Sequence, residues 1–275
     1  MPVKQIHPWF RNSFHVGSLL SLVAGIQLFI FSEQTDIYFA WTIQSSLTAA
    51  TLGGFYFGTM IFGYLAAREA NWARVRGPAT GLLVFMFVTL AATLLHLDKF
   101  HLASQNWQTR IATWSWLSIY VLFPIELVAA VWLQQRMPGA DPERVASLPA
   151  WFRVILTVHG VVGIVIALGL LFTPQALIPF WPWALTPLTA RALSAWFFSF
   201  GALNLQSVRE NDWSRVRVMA SSYIGSGLFA LAALLRYASQ ADLLSIGGVA
   251  YLIHLLALLG MGVYGWLQNW MVKGS

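Results

Sequence analysis

The chain contains no cysteine. That absence alone excludes disulfides, thiolate metal ligands, a cysteine nucleophile and covalently attached c-type haem. Charge is nearly as scarce. Asp, Glu, Lys and Arg make up 9% of the 275 residues, where a soluble domain carries about 25%. Acids are the scarcest sign, 10 against 16 Lys and Arg. Long polar stretches are missing too, so no segment is large enough for a separate soluble domain.

What fills the chain is apolar: 58% hydrophobic residues and 14 tryptophans. Apolar runs lie at 17–31, 47–67, 79–97, 111–133, 154–172, 188–208, 218–235 and 246–271. Most approach the roughly 20 residues that a helix needs to cross about 30 Å of hydrocarbon. The sequence therefore predicts an all-α integral membrane protein with eight transmembrane helices. Lys4 and Arg11 before the first run imitate a signal peptide, but Phe31-Ser32-Glu33 offers no small-x-small cleavage site. An uncleaved first helix is expected.

The chain also repeats itself. REANWARVR, from Arg68 to Arg76, returns as RENDWSRVR, from Arg209 to Arg217, 141 residues later. PWFR at 8–11 matches AWFR at 150–153, and WLQQ at 132–135 matches WLQN at 266–269. These anchors predict two parallel four-helix repeats, 1–136 and 150–275, joined by a cytoplasmic linker, 137–149, that begins MPGADPER. Four helices return the chain to its starting side, so such repeats are related by a pseudo-twofold axis along the membrane normal. Twelve of the 16 basic residues fall on the side of the N-terminus, leaving Lys99, Arg110, Arg191 and Arg236 on the other. The positive-inside rule then places both termini in the cytoplasm and the protein in the plasma (inner) membrane. It also accounts for the net charge of +6 without nucleic acid. The tryptophans near helix ends are expected to form an aromatic belt at each surface. The nonapeptide arginines are read as topological clamps able to meet anionic lipid phosphates, with Asn71 or Asp212 capping the next helix.

Small residues at Gly54-x-x-x-Gly58 and Ala195-x-x-x-Ser199 allow close helix approach in lipid, so the second helix of each repeat is expected at the centre. Intramembrane polar residues are the functional candidates. His15 and Glu126 each stand about 9 Å above the inner interface, which suggests a contacting pair. His159 and His254, on the fifth and eighth helices, suit an interhelical polar contact, or the axial ligation of a haem b. No cofactor is otherwise expected. Arg191 and Arg236, at the outer ends of consecutive helices with Asp242 nearby, suit a shared carboxylate or phosphate or snorkelling to headgroups. His96-x-Asp98-x-x-His101 contains metal-competent residues but reads as a solvated loop. Four prolines between Phe172 and Arg191 forbid a long helix there and predict a compact aromatic cover.

The stretch ARALSAWFFSFGALNL at 190–205, followed by the Arg/Trp/Arg loop, resembles the second helix of DoxX-like small four-helix membrane proteins. The resemblance covers one helix per repeat and implies a four-helix unit. The first repeat departs from it, with Ala50 where the second has Arg191. No site residue is carried over.

Three functions compete. The first is a non-enzymatic membrane protein that binds or moves a small lipophilic or anionic ligand. The second is a structural or redox subunit of a larger membrane complex. The third is a membrane-embedded enzyme using His15 and Glu126 as acid and base. The partners expected are the bilayer itself, an anionic lipid or lipophilic small molecule, and a membrane-protein partner or second copy. The absence of a nucleophile–base motif disfavours the enzyme.

Overall fold

The computed structural model describes residues 1–274. Eight long helices dominate it: α1 (Pro8–Gly25), α2 (Ser46–Ala67), α3 (Arg76–Leu94), α4 (Trp107–Arg136), α5 (Ala150–Phe172), α6 (Pro187–Glu210), α7 (Trp213–Arg236) and α8 (Ile246–Gly274). Extended pairing among the described residues is limited to three isolated bridges. Seven helices are long and apolar enough to cross a membrane, which makes this an all-α, multi-pass membrane protein. The helix outside that set is α6, which carries Arg191, Asn204, Gln206, Arg209 and Glu210. Its polar residues are largely hidden inside the molecule: Asn204 and Glu210 are buried.

Local chemistry sets the helix starts. Ser45 accepts from the Thr48 amide at the head of α2. Thr186 and Thr189 form a reciprocal capping box at α6, with Pro187 at the first helical position. Asp212 caps α7 by accepting from Ser214 N at 2.7 Å. Asn71 makes no such bond and pairs instead with Gln5. The last turns of the first span, Ile26–Ile30, are π-helical.

The centre is built from α2, α3, α6 and α7. The apolar window of α2 is 72% buried, whereas that of α4 is 28% buried. α2 packs on α7 and α3 packs on α6, with α1, α8, α5 and α4 outside them. Small residues make both crossings possible. A Cβ on Gly54 would come within 2.9 Å of the Phe229 backbone, and Gly58 lies against Ser226. Ser222 Oγ donates to the Gly58 carbonyl (3.1 Å). At the other crossing, Ser199 Oγ donates to the Gly81 carbonyl (3.0 Å). Gly58 and Ser199 are 141 residues apart, and so are Gly81 and Ser222. The same bond is made twice with donor and acceptor exchanged.

The nonapeptides make a second exchange. Glu69 pairs with Arg74 of its own copy and Arg217 of the other. Glu210 pairs with Arg215 of its own copy (2.8 Å) and Arg76 of the other (2.6 Å). Asp141 of the linker adds a second carboxylate to Arg76 at 2.6 Å. Both glutamates are buried, so each requires these cations where it sits. The arginines expected at lipid phosphates are thus largely consumed inside the protein. Arg68 and Arg209, the first residue of each copy, remain exposed.

The tryptophan expectation divides. Trp9, Trp107, Trp114, Trp132, Trp151, Trp266 and Trp270 are exposed, as a belt requires, but Trp41, Trp116, Trp183 and Trp213 are buried. Trp72 packs edge-on against Phe10 and Trp213 packs at a tilt against Phe152, at 5.3 and 5.2 Å between centroids. Trp183 reaches α2, where its indole N–H donates to Thr48. The proline-rich segment before α6 is short-turned and aromatic, with Trp181 and Trp183 packed on Tyr251.

Gly58→Leu should therefore lower the stability of the detergent-solubilised protein by about 1–3 kcal/mol, the usual cost of overpacking. Gly260→Ala, where an added Cβ meets nothing within 4 Å, should leave it unchanged or slightly raised. Thermal unfolding followed by tryptophan emission checks the contrast.

Candidate functional site

The four helices α1, α2, α3 and α4 surround a cavity of about 260 Å³. Its walls are aromatic and aliphatic: Phe14 and Leu20 from α1, Phe62 from α2, Phe85 from α3, Trp116 and Phe123 from α4. Gly17 and Ala112 are small wall residues, Gly17 lying against Phe123 of α4. Val23, Ile111 and Ser115 also line it and are exposed at the protein surface, so the mouth lies between α1 and α4 and faces the bilayer. Polar groups are few. The hydroxyls of Tyr56 and Tyr120 bond to each other at 2.6 Å deep in the wall, while Ser21, Gln27 and Thr59 lie elsewhere on the lining.

The corresponding place in the rest of the chain is filled. Aligned through PWFR/AWFR, the nonapeptides and WLQQ/WLQN, Gly17 matches His159, Gly63 matches Asn204, Leu82 matches Tyr223 and Tyr120 matches His254. Those four residues form one chain of hydrogen bonds. Tyr223 donates to Asn204 Oδ1 (2.9 Å), the Asn204 amide bonds His159 Nδ1 (2.8 Å), and His159 Nε2 bonds His254 Nδ1 (3.1 Å). The two imidazoles stack nearly parallel, 5.0 Å between centroids. This is the interhelical polar contact expected of His159 and His254. The haem alternative does not fit, because ring nitrogens bonded directly to one another leave no place for an iron between them.

The other candidates separate. His15 and Glu126 do not meet: Glu126 Oε1 accepts from Ser13 Oγ at 2.6 Å, while His15, two residues on, lies on the exposed face of α1. Ser13 and His15 lie on different faces of α1, since a two-residue step turns a side chain about 200° around the axis. Arg191 and Arg236 do not converge on one anion either. Arg191 donates to the Leu171 carbonyl at the end of α5 (2.9 Å) and to His96 Nε2 (2.7 Å). Arg236 donates to the Phe29 carbonyl at the end of the first span (2.8 Å). Each arginine satisfies orphan carbonyls of a helix C-terminus, the end that favours cations. Asp242 accepts from the amides of Leu244 and Ser245 rather than serving either arginine. His96, Asp98 and His101 have different partners, Arg191, Lys99 and Thr42 respectively, and no metal-holding cluster occurs among the described residues.

Sequence reasoning missed Glu69 and Glu210, although the second letter of both nonapeptides is Glu. It also missed the cavity, whose signal was the smallness of Gly17 opposite the bulk of His159. Comparison with family models, curated proteins and solved structures gives no match for this chain.

His96 lies outside the spans and carries a pH dependence. Burial, then the Arg191 guanidinium, pushes its pKa below the ordinary imidazole value. An arginine can only donate, so His96 Nε2 accepts and the ring is neutral. The unfolded chain binds this proton from about pH 6.5 downward, before the folded protein does. The stability due to this contact is complete above that pH and is lost as pH falls toward the depressed folded value. His96→Gln, neutral at every pH, should flatten the acid slope of thermal stability below about pH 6.5.

Proposed function

We propose that this is a non-enzymatic membrane protein that binds a small lipophilic molecule taken up sideways from the bilayer. The observation that carries this reading is the cavity of about 260 Å³ among α1–α4, apolar-walled and open toward the lipid. An apolar cavity of about 150 Å³ accepts benzene, so this one has room for a ring with a short substituent. The anionic branch of the expectation loses its basis, because Arg191 and Arg236 already serve helix ends. The acid–base route loses its geometry with the His15–Glu126 contact.

The frame of the proposal is eight spans in two four-helix halves, 1–136 and 150–275, related about the membrane normal, with both termini cytoplasmic. The reciprocal Glu–Arg pairs and Ser–Gly crossings support it. So does the N-terminal arm: Trp72 N donates to the Lys4 carbonyl as Trp213 N donates to that of Ala146. The four-helix unit is also what the DoxX-like resemblance implies. In this reading the first half is the binding half, and the second is its closed counterpart, braced by the histidine chain.

Reporter fusions at Gly139 and Gly274 should read cytoplasmic and one at Ser104 extracytoplasmic. An extracytoplasmic Gly139 would break the two-half frame. For the ligand, isopropylbenzene should raise the melting temperature of the purified protein, by an amount equivalent to about 2.7 kcal/mol at a hundredfold excess over Kd. Ala112→Phe, which fills the cavity, should remove that rise while keeping the fold. A rise that persists in the filled variant would place the ligand elsewhere.

A further inference from the structure

The geometry of Tyr56 and Tyr120 points to the class of ligand: we infer that the cavity takes an apolar molecule carrying one hydrogen-bond acceptor oxygen, a compact ketone being the simplest case. The inference rests on the lipophilic-binding reading above and specifies its chemistry.

Two phenols bring two hydroxyl hydrogens. Tyr56 and Tyr120 bond to each other at 2.6 Å, which uses one of them, whichever ring donates. Neither oxygen has another protein partner among the described residues, so the second hydrogen finds no acceptor in the protein. Both residues are more than nine-tenths buried and both line the cavity. A buried O–H without an acceptor is costly, and native proteins rarely leave one. The hydroxyl bond also polarises the free O–H, since chained hydrogen bonds strengthen one another in a low-dielectric surrounding.

The surroundings fix the rest of the ligand. Tyr120 packs at a tilt on Trp116 with centroids 4.3 Å apart, and Tyr56 lies edge-on to Phe85 and Trp196. These contacts hold both rings, so the hydroxyls cannot turn away toward lipid. No charged side chain lines the cavity, which excludes a carboxylate or ammonium partner on desolvation grounds. A carbonyl oxygen accepts the free hydrogen without adding a proton of its own that would need an acceptor. The matched place in the other half has His254 where the cavity has Tyr120, and there His254 Nδ1 bonds His159 Nε2.

The test compares two molecules of the same shape. Acetophenone and α-methylstyrene share a planar aromatic frame and differ in C=O against C=CH2. Equilibrium dialysis of the detergent-solubilised protein against detergent alone corrects for partition into micelles. Acetophenone should bind about five- to tenfold tighter, the worth of one net hydrogen bond. In Tyr56→Phe with Tyr120→Phe, acetophenone should fall to the affinity of α-methylstyrene, whose own binding should not change. Removing both partners of a bonded pair is close to neutral for folding, and thermal unfolding verifies this. Equal affinities in the wild type, or a preference that survives the double variant, would overturn the inference while leaving the lipophilic cavity standing. Failure of both molecules to bind the wild type would overturn the inference and the cavity reading together.

Discussion

Two buried carboxylates constrain everything above them. Glu69 lies just past the second long helix and Glu210 ends the sixth, and each buried carboxylate depends on cations delivered to it. Each takes one arginine from its own loop and one from the loop 141 residues away. Losing both cations would leave an uncompensated buried charge, which costs about 3–5 kcal/mol. The reciprocity locks the α2–α7 and α3–α6 crossings in register, because a slip at one would pull an arginine from the other. With the four central helices fixed, the outer helices have only one surface left to cover, and how well they cover it differs between the ends of the chain.

The proposed function rests on that difference. Around α5–α8 the interior is closed by a run of four polar side chains bonded one to the next. Around α1–α4 the matching positions hold Gly17, Gly63, Leu82 and Tyr120, and the space remains open. α1 and α4 are joined at their lower end by Ser13 and Glu126 and by the bonds from Gln134 to His7 and Gln5. Toward the other end they part at the mouth. The π-helical turn at Ile26–Ile30, a geometry often found at functional sites, lies at that parted end.

How much of this the sequence disclosed depends on the range of the interaction. Helix positions follow from apolar length and from caps such as Thr186-Pro187, which are local, and these were read closely. The repeat follows from identity at fixed spacing. The face of a helix could not be read, which is why Ser13 rather than His15 meets Glu126. Arg191 and Arg236 looked unpartnered because their partners are backbone carbonyls, and a carbonyl has no letter in a sequence. The cavity is a statement about volume missing among four helices, and no single residue announces it.

The exchanged serine–glycine bonds make the two sets of helices complementary partners. At one crossing Ser222 meets Gly58, and at the other Ser199 meets Gly81. Two copies of residues 1–136 would set Gly58 against Gly81, leaving a gap with no hydroxyl. Two copies of residues 150–275 would set Ser199 against Ser222, with one side chain too many. Each half is therefore a poor partner for itself and a good partner for the other. On the proposed two-half frame, the covalent link between residues 1–136 and 150–275 supplies each set of helices with the partner that packs on it.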